Sequence, residues 1–294
     1  GAHVLHYAST CFEGLKAFTH PDGSRHIFRM DQNIARLAQS SRLLSLPEVD
    51  EAMLRKMILD LVIRYKDEVP APPGTLYLRP THIGTEAAIG KAAAPSSQSM
   101  LYVLASPVGD YFAGGDATLR ILIDEVGMRC APHMGMVKSG GNYASALQML
   151  NKARVEHKAD QVLFCPDGDV QETAAANFML IEGNELVTKA LDSTFLHGVT
   201  RASVLTLAAE MGLTVSERNL SVAELIERSA QPGAEAALSG TAAVLTPVGN
   251  LIHQGKDYTL GTGKPGPITI KLRKALNDIQ FGMAEDRFDW LTPV

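Results

Sequence analysis

The sequence predicts an α/β protein of two domains. Strand-like runs alternate with segments whose apolar residues recur at helical spacing, a pattern typical of mixed helix and sheet. The 294 residues favour two domains over one, and proline and glycine near residues 107–116 interrupt the pattern. We therefore expect a smaller α/β domain at 1–107, a connector at 108–116 and a larger domain at 117–294. Because the chain begins at Gly1 without methionine and soon enters a strand-like run, we expect the smaller domain to lack its N-terminal part.

The composition excludes several classes of protein. A net charge of -5 and a pI near 6.0 leave no basic excess for nucleic-acid phosphates, so we expect no nucleic-acid partner. No apolar run approaches the roughly 18 residues needed to cross a bilayer, and we expect a cytoplasmic protein with no membrane partner. Three cysteines, widely spaced and odd in number, indicate neither a disulfide framework nor a paired-cysteine metal site.

The elements of the first domain follow from local patterns. Aspartate is a preferred helix N-cap, helices show apolar stripes, and proline with glycine ends them. The expected elements are a strand at His3–Tyr7, a turn at Gly14, a strand at Arg25–Arg29, a helix capped by Asp31 with a stripe from Ile34 to Leu44, a helix from Leu54 to Tyr65, and strands at Thr75–Ile83 and Met100–Ser106.

The strand at Thr75–Ile83 places Tyr77, Arg79 and Thr81 on one face, because side chains alternate along a strand. An arginine beside a tyrosine on that face indicates an anion pocket. A half-exposed sheet face with no ligand is the alternative.

The second domain is predicted in the same way, with a capping box at Ser221 and Glu224 and a helix start behind Pro267. Its expected elements are a strand at Leu119–Asp124, a helix bearing Ala144, Leu147, Leu150 and Ala153, a strand at Val162–Cys165, a hairpin with Gly183 and Asn184 at its tip, a helix at Thr200–Met211, a strand at Ala236–Pro247, and a last helix bearing Leu272, Leu276 and Ile279.

Lys138 is the most informative residue of the chain. It stands at a strand end, and Ser139, two glycines, Asn142 and Tyr143 follow it at the start of a helix. Such a lysine is suited to form a Schiff base with a carbonyl cofactor or to pair with a nucleotide phosphate. A solvated lysine beside a turn is the third interpretation.

Several further features fit a phosphorylated aromatic aldehyde such as pyridoxal phosphate. Lys138 would supply the amine, Tyr143 would hydrogen-bond the phenolic oxygen, and Glu172 would pair with the pyridine nitrogen. The helix start at Gly198–Thr200 and the Gly240–Thr241 pair offer phosphate donors, with Arg36 as a fixed positive charge. Taken singly, each has an ordinary interpretation: a solvated Glu172, a Thr200 N-cap, and an Arg36 on a polar helix face.

With these residues the chain resembles the branched-chain amino acid aminotransferases, which are fold-type IV pyridoxal phosphate enzymes. Seven blocks in order carry the resemblance and cover nearly the whole chain. They are His6, Tyr7, Phe12–Gly14 and Lys16–Phe18; Asn33 with Arg36; Tyr77, Arg79–Thr81 and Ile83–Glu86; Lys138–Tyr143; Gln171, Glu172 and Asn177; Gly198–Arg201; and Gly240–Ala242.

The resemblance implies a D-amino-acid aminotransferase-like fold of two domains, with the cofactor in the cleft between them, in a homodimer or higher homo-oligomer. The implied cofactor residues are Arg36, Lys138, Tyr143, Glu172, Gly198, Val199, Thr200 and Thr241. The implied substrate residues are Tyr7, Phe12, Gly14, Tyr77, Arg79, Tyr111, Thr241 and Ala242. Tyr7 with Ile89 is expected to reach across the dimer interface.

The implied activity is transamination between L-leucine, L-isoleucine or L-valine and 2-oxoglutarate, through a Lys138 Schiff base and by way of pyridoxamine phosphate. Phe12, Tyr7 and Tyr111 would bind the apolar side chain, whereas Arg79 and Tyr77 would bind the glutamate carboxylate. The main-chain N–H groups of Thr241 and Ala242 would hold the α-carboxylate.

Two departures from the family and several alternatives bear on this interpretation. Ala243 and Thr246 replace the paired cysteines of some members, so thiol regulation is not expected, and Ala175 lacks the hydroxyl usual at its position. A D-amino-acid aminotransferase or an aminodeoxychorismate lyase shares the fold, but the blocks at Phe12–Gly14 and Tyr77–Glu86 speak against both. A nucleotide-binding protein would need a P-loop order that is absent, and a non-catalytic scaffold would not need intact site residues.

Overall fold

The computed structural model describes residues 1–91, 93–109, 117–242 and 244–294. They form two compact units, and the predicted α/β class with two domains is confirmed. One unit contains the described residues of Gly1–Tyr111, Val137–Gly141 and Asp278–Val294, and the other those of Phe112–Met136 and Asn142–Asn277. The predicted bounds at 1–107, 108–116 and 117–294 stay a prediction, and most of that connector lies outside the described residues.

The first unit is built on a six-stranded sheet in the order β1, β4, β2, β3, β14, with β5 also paired to β4. All of its pairs are antiparallel. The strands are β1 (Thr10–Phe12), β2 (Leu15–Thr19), β3 (Arg25–Phe28), β4 (Thr75–Gly84), β5 (Ser99–Val108) and β14 (Leu291–Pro293).

Strand β4 is continuous, whereas the edge opposite β5 is divided between two short strands. Leu78 pairs with Leu15 of β2, and Thr81 pairs with Phe12 of β1. Pro80 faces the gap between them, and its carbonyl accepts from the N–H of Glu13 at 2.8 Å. The N–H and C=O of one residue point to the same neighbouring strand in an antiparallel sheet. The N–H that Pro80 lacks would therefore point into the gap between β1 and β2, where proline is tolerated.

Three helices accompany this sheet: α1 (His3–Tyr7), α2 (Met30–Leu43) and α3 (Glu51–Arg64). The prediction of a strand at His3–Tyr7 is wrong. The His3 ring is buried and hydrogen-bonded to Ser9 Oγ at 2.8 Å and to the carbonyl of Ala94, and these contacts fix a helical turn that a short apolar pattern does not reveal. The N-cap of α2 is Arg29, in a left-handed conformation with φ 53°, and not Asp31.

The second unit is built on an eight-stranded sheet in the order β10, β9, β8, β11, β12, β6, β7, with β13 paired to β12. Parallel pairing joins β10 to β9, β12 to β6 and β6 to β7. The strands are β6 (Leu119–Asp124), β7 (Gln161–Phe164), β8 (Asn177–Glu182), β9 (Glu185–Thr188), β10 (Thr214–Glu217), β11 (Glu235–Gly240), β12 (Val244–His253) and β13 (Lys256–Thr259).

Four more helices complete the described fold: α4 (Gly140–His157), α5 (Val199–Glu210), α6 (Val222–Ser229) and α7 (Pro267–Gln280). The division between the units falls within α4 and α7. The predicted capping of α6 is confirmed, because Ser221 accepts from the N–H of Glu224.

Two predictions for this unit are wrong. The single strand at Ala236–Pro247 is the antiparallel pair β11 and β12, because the chain reverses after Gly240, where Ser239, Gly240 and Thr241 separate two apolar runs. The apolar stripe predicted for α4 is wrong at Leu147, which is 61% exposed while the neighbouring Ala146 is buried, although Ala153 of the same stripe is buried as predicted. Among the described residues, no helix is long and apolar enough to cross a membrane.

Candidate functional site

The main chain of Lys138 is held in the first unit by β1 and α2. The N–H of Phe12 donates to the Lys138 carbonyl at 3.0 Å, and the N–H of Lys138 donates to Ser40 Oγ at 3.1 Å. A further β-bridge joins Cys11 to Ser139, just before α4 begins. Lys138 itself is half-buried, which argues against the solvated surface lysine.

The Phe12 ring lies beside two cationic side chains. The Lys138 amine is 5.1 Å from the centre of the ring, and the guanidinium carbon of Arg79 is 4.5 Å from it. Arg79 also donates to the Tyr77 hydroxyl at 2.8 and 3.2 Å. The predicted common face of Tyr77 and Arg79 is therefore confirmed, and it offers an aromatic wall beside a fixed positive charge.

Gly14 is required by the position of Tyr77. A Cβ atom at Gly14 would lie 2.2 Å from the Tyr77 hydroxyl oxygen, far inside van der Waals contact. The residue stands in the break between β1 and β2, so a side chain there would displace the hydroxyl that holds Arg79.

Arg36 forms an ion pair inside the same unit. Its Nε and Nη2 atoms lie 2.7 and 2.9 Å from the two carboxylate oxygens of Glu13, which is completely buried. Arg36 is therefore not simply part of a polar helix face. A guanidinium carries five N–H donors, so this pair is compatible with a phosphate as a further partner, and that role stays a prediction.

Of the two expected substrate tyrosines Tyr7 and Tyr111, the structure describes only Tyr7. The Tyr7 hydroxyl donates to the carbonyl of Ile89 of the same chain. Tyr111 lies outside the described residues.

Glu172 anchors a second group of site residues, in the second unit. Its carboxylate is buried, lies 2.8 Å from Arg129 Nη1, and accepts from the N–H of Leu196 at 2.9 Å and from Asn177 Nδ2 at 3.3 Å. These contacts exclude a solvated Glu172. A buried carboxylate with a paired cation and two hydrogen bonds is a fixed negative charge.

Sequence reasoning missed Arg129. Its side chain is buried, its Nε donates to the Ala174 carbonyl at 3.1 Å, and its guanidinium carbon lies 5.4 Å from the centre of the Tyr143 ring. One cation thus contacts both Glu172 and Tyr143. No local pattern distinguishes this arginine from a surface one, because its partners lie far along the chain.

Asn177 brings three segments of the second unit together. Its side chain donates to Glu172 and, at 2.8 Å, to the Leu196 carbonyl, while its backbone pairs with Ser239 near the end of β11. A Cβ atom at Gly198 would lie 2.0 Å from Asn177 Oδ1. Asn177 therefore contacts the Glu172 carboxylate, the segment before α5 and the end of β11. The family resemblance includes Asn177, but the sequence analysis assigned no role to it.

The start of α5 has the geometry of an anion site. Gly198 is its N-cap in extended conformation, and no side chain of the described residues caps the helix. Thr200 is therefore not the N-cap and is buried in the first turn. Near the end of β11, the buried Ser239 Oγ has no hydrogen-bond partner within the described part of the chain, and Gly240, Thr241 and Ala242 follow it.

The departure at Ala175 lies beside the end of β11. A Cβ atom at Gly240 would be 3.7 Å from the Ala175 carbonyl oxygen. The nearby Thr173 hydroxyl is used within its own turn, since it donates to the Ala176 carbonyl at 2.9 Å and accepts from the Ala176 N–H.

The three cysteines are free. Burial raises the pKa of the Cys11 thiol to about 11, and burial likewise raises the pKa of Cys130 and Cys165. In the described ranges no group of three or more His, Cys, Asp or Glu side chains is arranged to hold a metal ion.

The first unit thus holds a half-buried lysine, and the second unit holds a buried carboxylate and an uncapped helix start. The chain belongs to the class IV aminotransferases, because the family described as amino-transferase class IV matches residues 10–251. This establishes an enzyme that transfers amino groups.

The resemblance to branched-chain amino acid aminotransferases is confirmed at the level of sequence. A probable branched-chain-amino-acid aminotransferase of Streptomyces coelicolor is 39% identical, over 98% of this chain and 81% of its own. Branched-chain-amino-acid transaminase 1 of Bacillus subtilis is also 39% identical, over 99% of this chain and 83% of its own.

Solved structures confirm the fold-type IV prediction. The T.th. branched-chain amino acid aminotransferase with pyridoxamine 5'-phosphate has a TM-score of 0.84 and 25% identity, over 99% of this chain and 91% of its own. The Escherichia coli enzyme of the same name also has a TM-score of 0.84, with 26% identity over the same shares of the two chains.

Proposed function

We propose that this protein transfers the amino group between L-leucine, L-isoleucine or L-valine and 2-oxoglutarate, using pyridoxal phosphate held by Lys138. The observation that carries the proposal is the naming of relatives 36 to 39% identical over nearly the whole chain as branched-chain aminotransferases. They favour this activity over D-amino-acid transamination and aminodeoxychorismate cleavage.

The residues present fit pyridoxal phosphate. The buried carboxylate of Glu172 suits a protonated ring nitrogen, and the uncapped start of α5 with the unpaired Ser239 hydroxyl nearby, as far as the described residues go, suits a phosphate. When bound, pyridoxal phosphate supplies an electron sink for negative charge at the substrate α carbon. The solved T.th. relative contains pyridoxamine 5'-phosphate, which supports the same cofactor here.

In this proposal each residue has a definite task. Lys138 would hold the cofactor through its amine and, once the substrate has displaced it, would be the base that takes the proton from the substrate α carbon and the acid that returns it. Glu172, fixed by Arg129 and Asn177, holds the proton of the ring nitrogen. Tyr143 donates to the phenolic oxygen. Arg36, Gly198, Val199, Thr200 and Thr241 hold the phosphate.

The first unit would select the substrates. Phe12, Gly14 and Tyr7 would line the side-chain pocket, while Arg79, held by Tyr77, would bind the second carboxylate of glutamate. In the second unit, the main-chain N–H groups of Thr241 and Ala242 would hold the α-carboxylate in both half-reactions. An apolar wall with one cation at its side thus serves two kinds of amino acid.

We also propose a homodimer or higher homo-oligomer in the cytoplasm. Among the described strands β5 pairs only with β4, and it exposes Met100 and Leu104, which are 54% and 57% exposed. Edge strands with exposed apolar residues are commonly covered by a second chain. Three free cysteines support a reducing compartment.

The deciding experiment is a visible spectrum of the purified protein with pyridoxal phosphate, recorded before and after L-leucine and then after 2-oxoglutarate. We expect a band that fades with L-leucine and returns with 2-oxoglutarate, and no such band in Lys138→Ala. A band that responds to D-alanine but not to L-leucine would instead establish a D-amino-acid aminotransferase. Pyruvate release from aminodeoxychorismate would establish the lyase, and the absence of any band would refute the use of pyridoxal phosphate.

A further inference from the structure

Helix α2 presents two side chains from adjacent turns to the segments around Lys138. Arg36 and Ser40 are four residues apart and therefore lie on the same face of the helix. Arg36 pairs with Glu13, which follows Phe12 in the chain, and Ser40 accepts from the N–H of Lys138 at 3.1 Å. Helix α2 thus contacts Lys138 through Ser40. Through Arg36 it contacts Glu13, the neighbour of Phe12, whose N–H donates to the Lys138 carbonyl.

The next residue of the helix, Ser41, is equally buried but has other partners. Its hydroxyl lies 3.3 Å from Cys11 Sγ and 2.9 Å from His82 Nδ1. Both serines are fully buried, so their hydroxyls must be satisfied inside the protein. Only the first of these two hydroxyls is bonded to the main chain of Lys138.

We propose that Ser40 is a positioning residue for Lys138. Its hydroxyl accepts the Lys138 N–H while Phe12 donates to the Lys138 carbonyl, so both polar groups of this residue's main chain are fixed. The long side chain then starts from a fixed Cα and reaches over the Phe12 ring. The inference rests on the proposed function, in which the amine must serve two different carbon atoms.

Loss of the Ser40 hydroxyl should act on turnover more than on substrate binding. Without its acceptor, the Lys138 peptide group is free to shift, and a misplacement of about 1 Å can cost on the order of 100-fold in rate. We expect Ser40→Ala to lower kcat for L-leucine and 2-oxoglutarate by roughly 10-fold to 100-fold, with KM changed by less than about threefold because the substrate residues are untouched.

A second measurement does not depend on the cofactor. Lysine-labelled NMR samples of the full chain without added cofactor report the hydrogen-exchange rate of the Lys138 amide. Since Ser40 accepts this N–H, exchange should be faster in Ser40→Ala by about 10-fold or more. In Ser41→Ala, the matched control from the same helix, the Lys138 amide should exchange as in the wild type, and kcat should fall less than in Ser40→Ala.

Equal effects of the two alanine variants on kcat and on exchange would overturn the proposal, as would wild-type values for Ser40→Ala. If Ser40→Ala does not fold, Ser40→Cys, which is close in volume but a weaker acceptor, undergoes the same measurements with the same expected direction. Failure of the proposed function is separate: the wild type would then show no turnover, while exchange at Lys138 would still report whether Ser40 holds this amide.

Discussion

The guanidinium of Arg129 lies 2.8 Å from a carboxylate oxygen of Glu172, and the two side chains are 1% and 3% exposed. Burial of this kind costs each charge its hydration, and the pair is stable because each ion compensates the other. Arg129 also lies over the Tyr143 ring. One buried cation therefore contacts both residues that we assign to the cofactor ring, Glu172 at its nitrogen and Tyr143 at its phenolic oxygen.

Removal of one member of this pair should be strongly destabilising. We expect Arg129→Met to lower the free energy of unfolding by about 3–5 kcal/mol, because Glu172 is left as an uncompensated buried charge. Urea unfolding followed by circular dichroism measures the loss. The double variant Arg129→Met with Glu172→Leu should recover most of it, since no charge then remains.

The control for this prediction is an exposed pair. Arg120 lies 3.0 Å from Asp257, with 39% and 58% of the two side chains exposed. Arg120→Met should cost at most about 1 kcal/mol. Similar losses at Arg120 and Arg129 would contradict the importance assigned to burial.

Arg79→Ala should separate the two kinds of substrate. A hydrogen bond to a charged group contributes about 1.5–3 kcal/mol, so kcat/KM for 2-oxoglutarate and L-glutamate should fall by roughly 10-fold to 100-fold. For L-leucine, which has no second carboxylate, the change should stay within about threefold. Steady-state kinetics with each substrate provide the test.

Tyr77→Phe is the graded control for Arg79. It removes the hydroxyl that accepts two Arg79 N–H groups and keeps the aromatic ring. We expect a smaller loss in the same direction as in Arg79→Ala. Equal losses for leucine and 2-oxoglutarate in both variants would refute a pocket with separate apolar and charged parts.

Gly198→Ala should weaken binding of the cofactor. The new Cβ atom would lie 2.0 Å from Asn177 Oδ1 and 3.1 Å from Arg201 Cβ, so either the start of α5 or Asn177 must move. Because a phosphate at this helix start depends on the direction of its N–H groups, we expect the Kd of pyridoxal phosphate to rise on the order of 10-fold or more.

Gly90→Ala provides the comparison, since a Cβ atom there meets nothing within 4 Å among the described residues. Its cofactor affinity should equal that of the wild type in a fluorescence titration. An unchanged Kd in Gly198→Ala would argue against phosphate binding at the start of α5.

Cys130 should be the only thiol that reacts readily in the native protein. Cys11 and Cys165 are fully buried, whereas Cys130 is partly exposed. Burial raises the pKa of Cys130, so its thiolate is scarcer at neutral pH than that of an ordinary cysteine. The rate of alkylation should therefore still be rising with pH above pH 8, because the thiolate is the reacting form.

Mass spectrometry after brief treatment with iodoacetamide identifies the labelled residue. Cys130→Ser should remain unlabelled under the same conditions and become labelled in denaturant at both remaining cysteines. Rapid labelling of Cys11 or Cys165 in the native protein, or a plateau of the Cys130 rate below pH 8, would contradict this prediction.

Local sequence patterns were sufficient to predict those features that depend only on residues a few positions apart. Lys138 with its two glycines, the capping of α6 by Ser221, and the alternation of Tyr77 and Arg79 all depend on spacing within a few residues. The fold class followed because helices and strands alternate along the chain and seven blocks stand in the order of one family. The predicted roles of the site residues stay predictions until the experiments above are done.

The remaining features depend on contacts between distant parts of the chain. No motif surrounds Arg129 in the sequence, and only the fold brings its guanidinium next to the Glu172 carboxylate. The helix at His3–Tyr7 owes its form to a buried histidine whose partners include the Ala94 carbonyl. The turn after Gly240 is a different case, because Ser239, Gly240 and Thr241 interrupt the apolar run and are typical of a turn; the prediction of a single strand overlooked this local signal.

The continuous ladder of β4 has a consequence for changing the substrate range. Phe12 and Arg79 belong to strands of one hydrogen-bonded sheet, so their separation is fixed by register and not by a loop. A slip of one residue would turn Arg79 to the opposite face and bring Leu78 or Pro80 in its place. Altered selectivity is therefore more accessible through exchange of single side chains than through insertions or deletions in these strands.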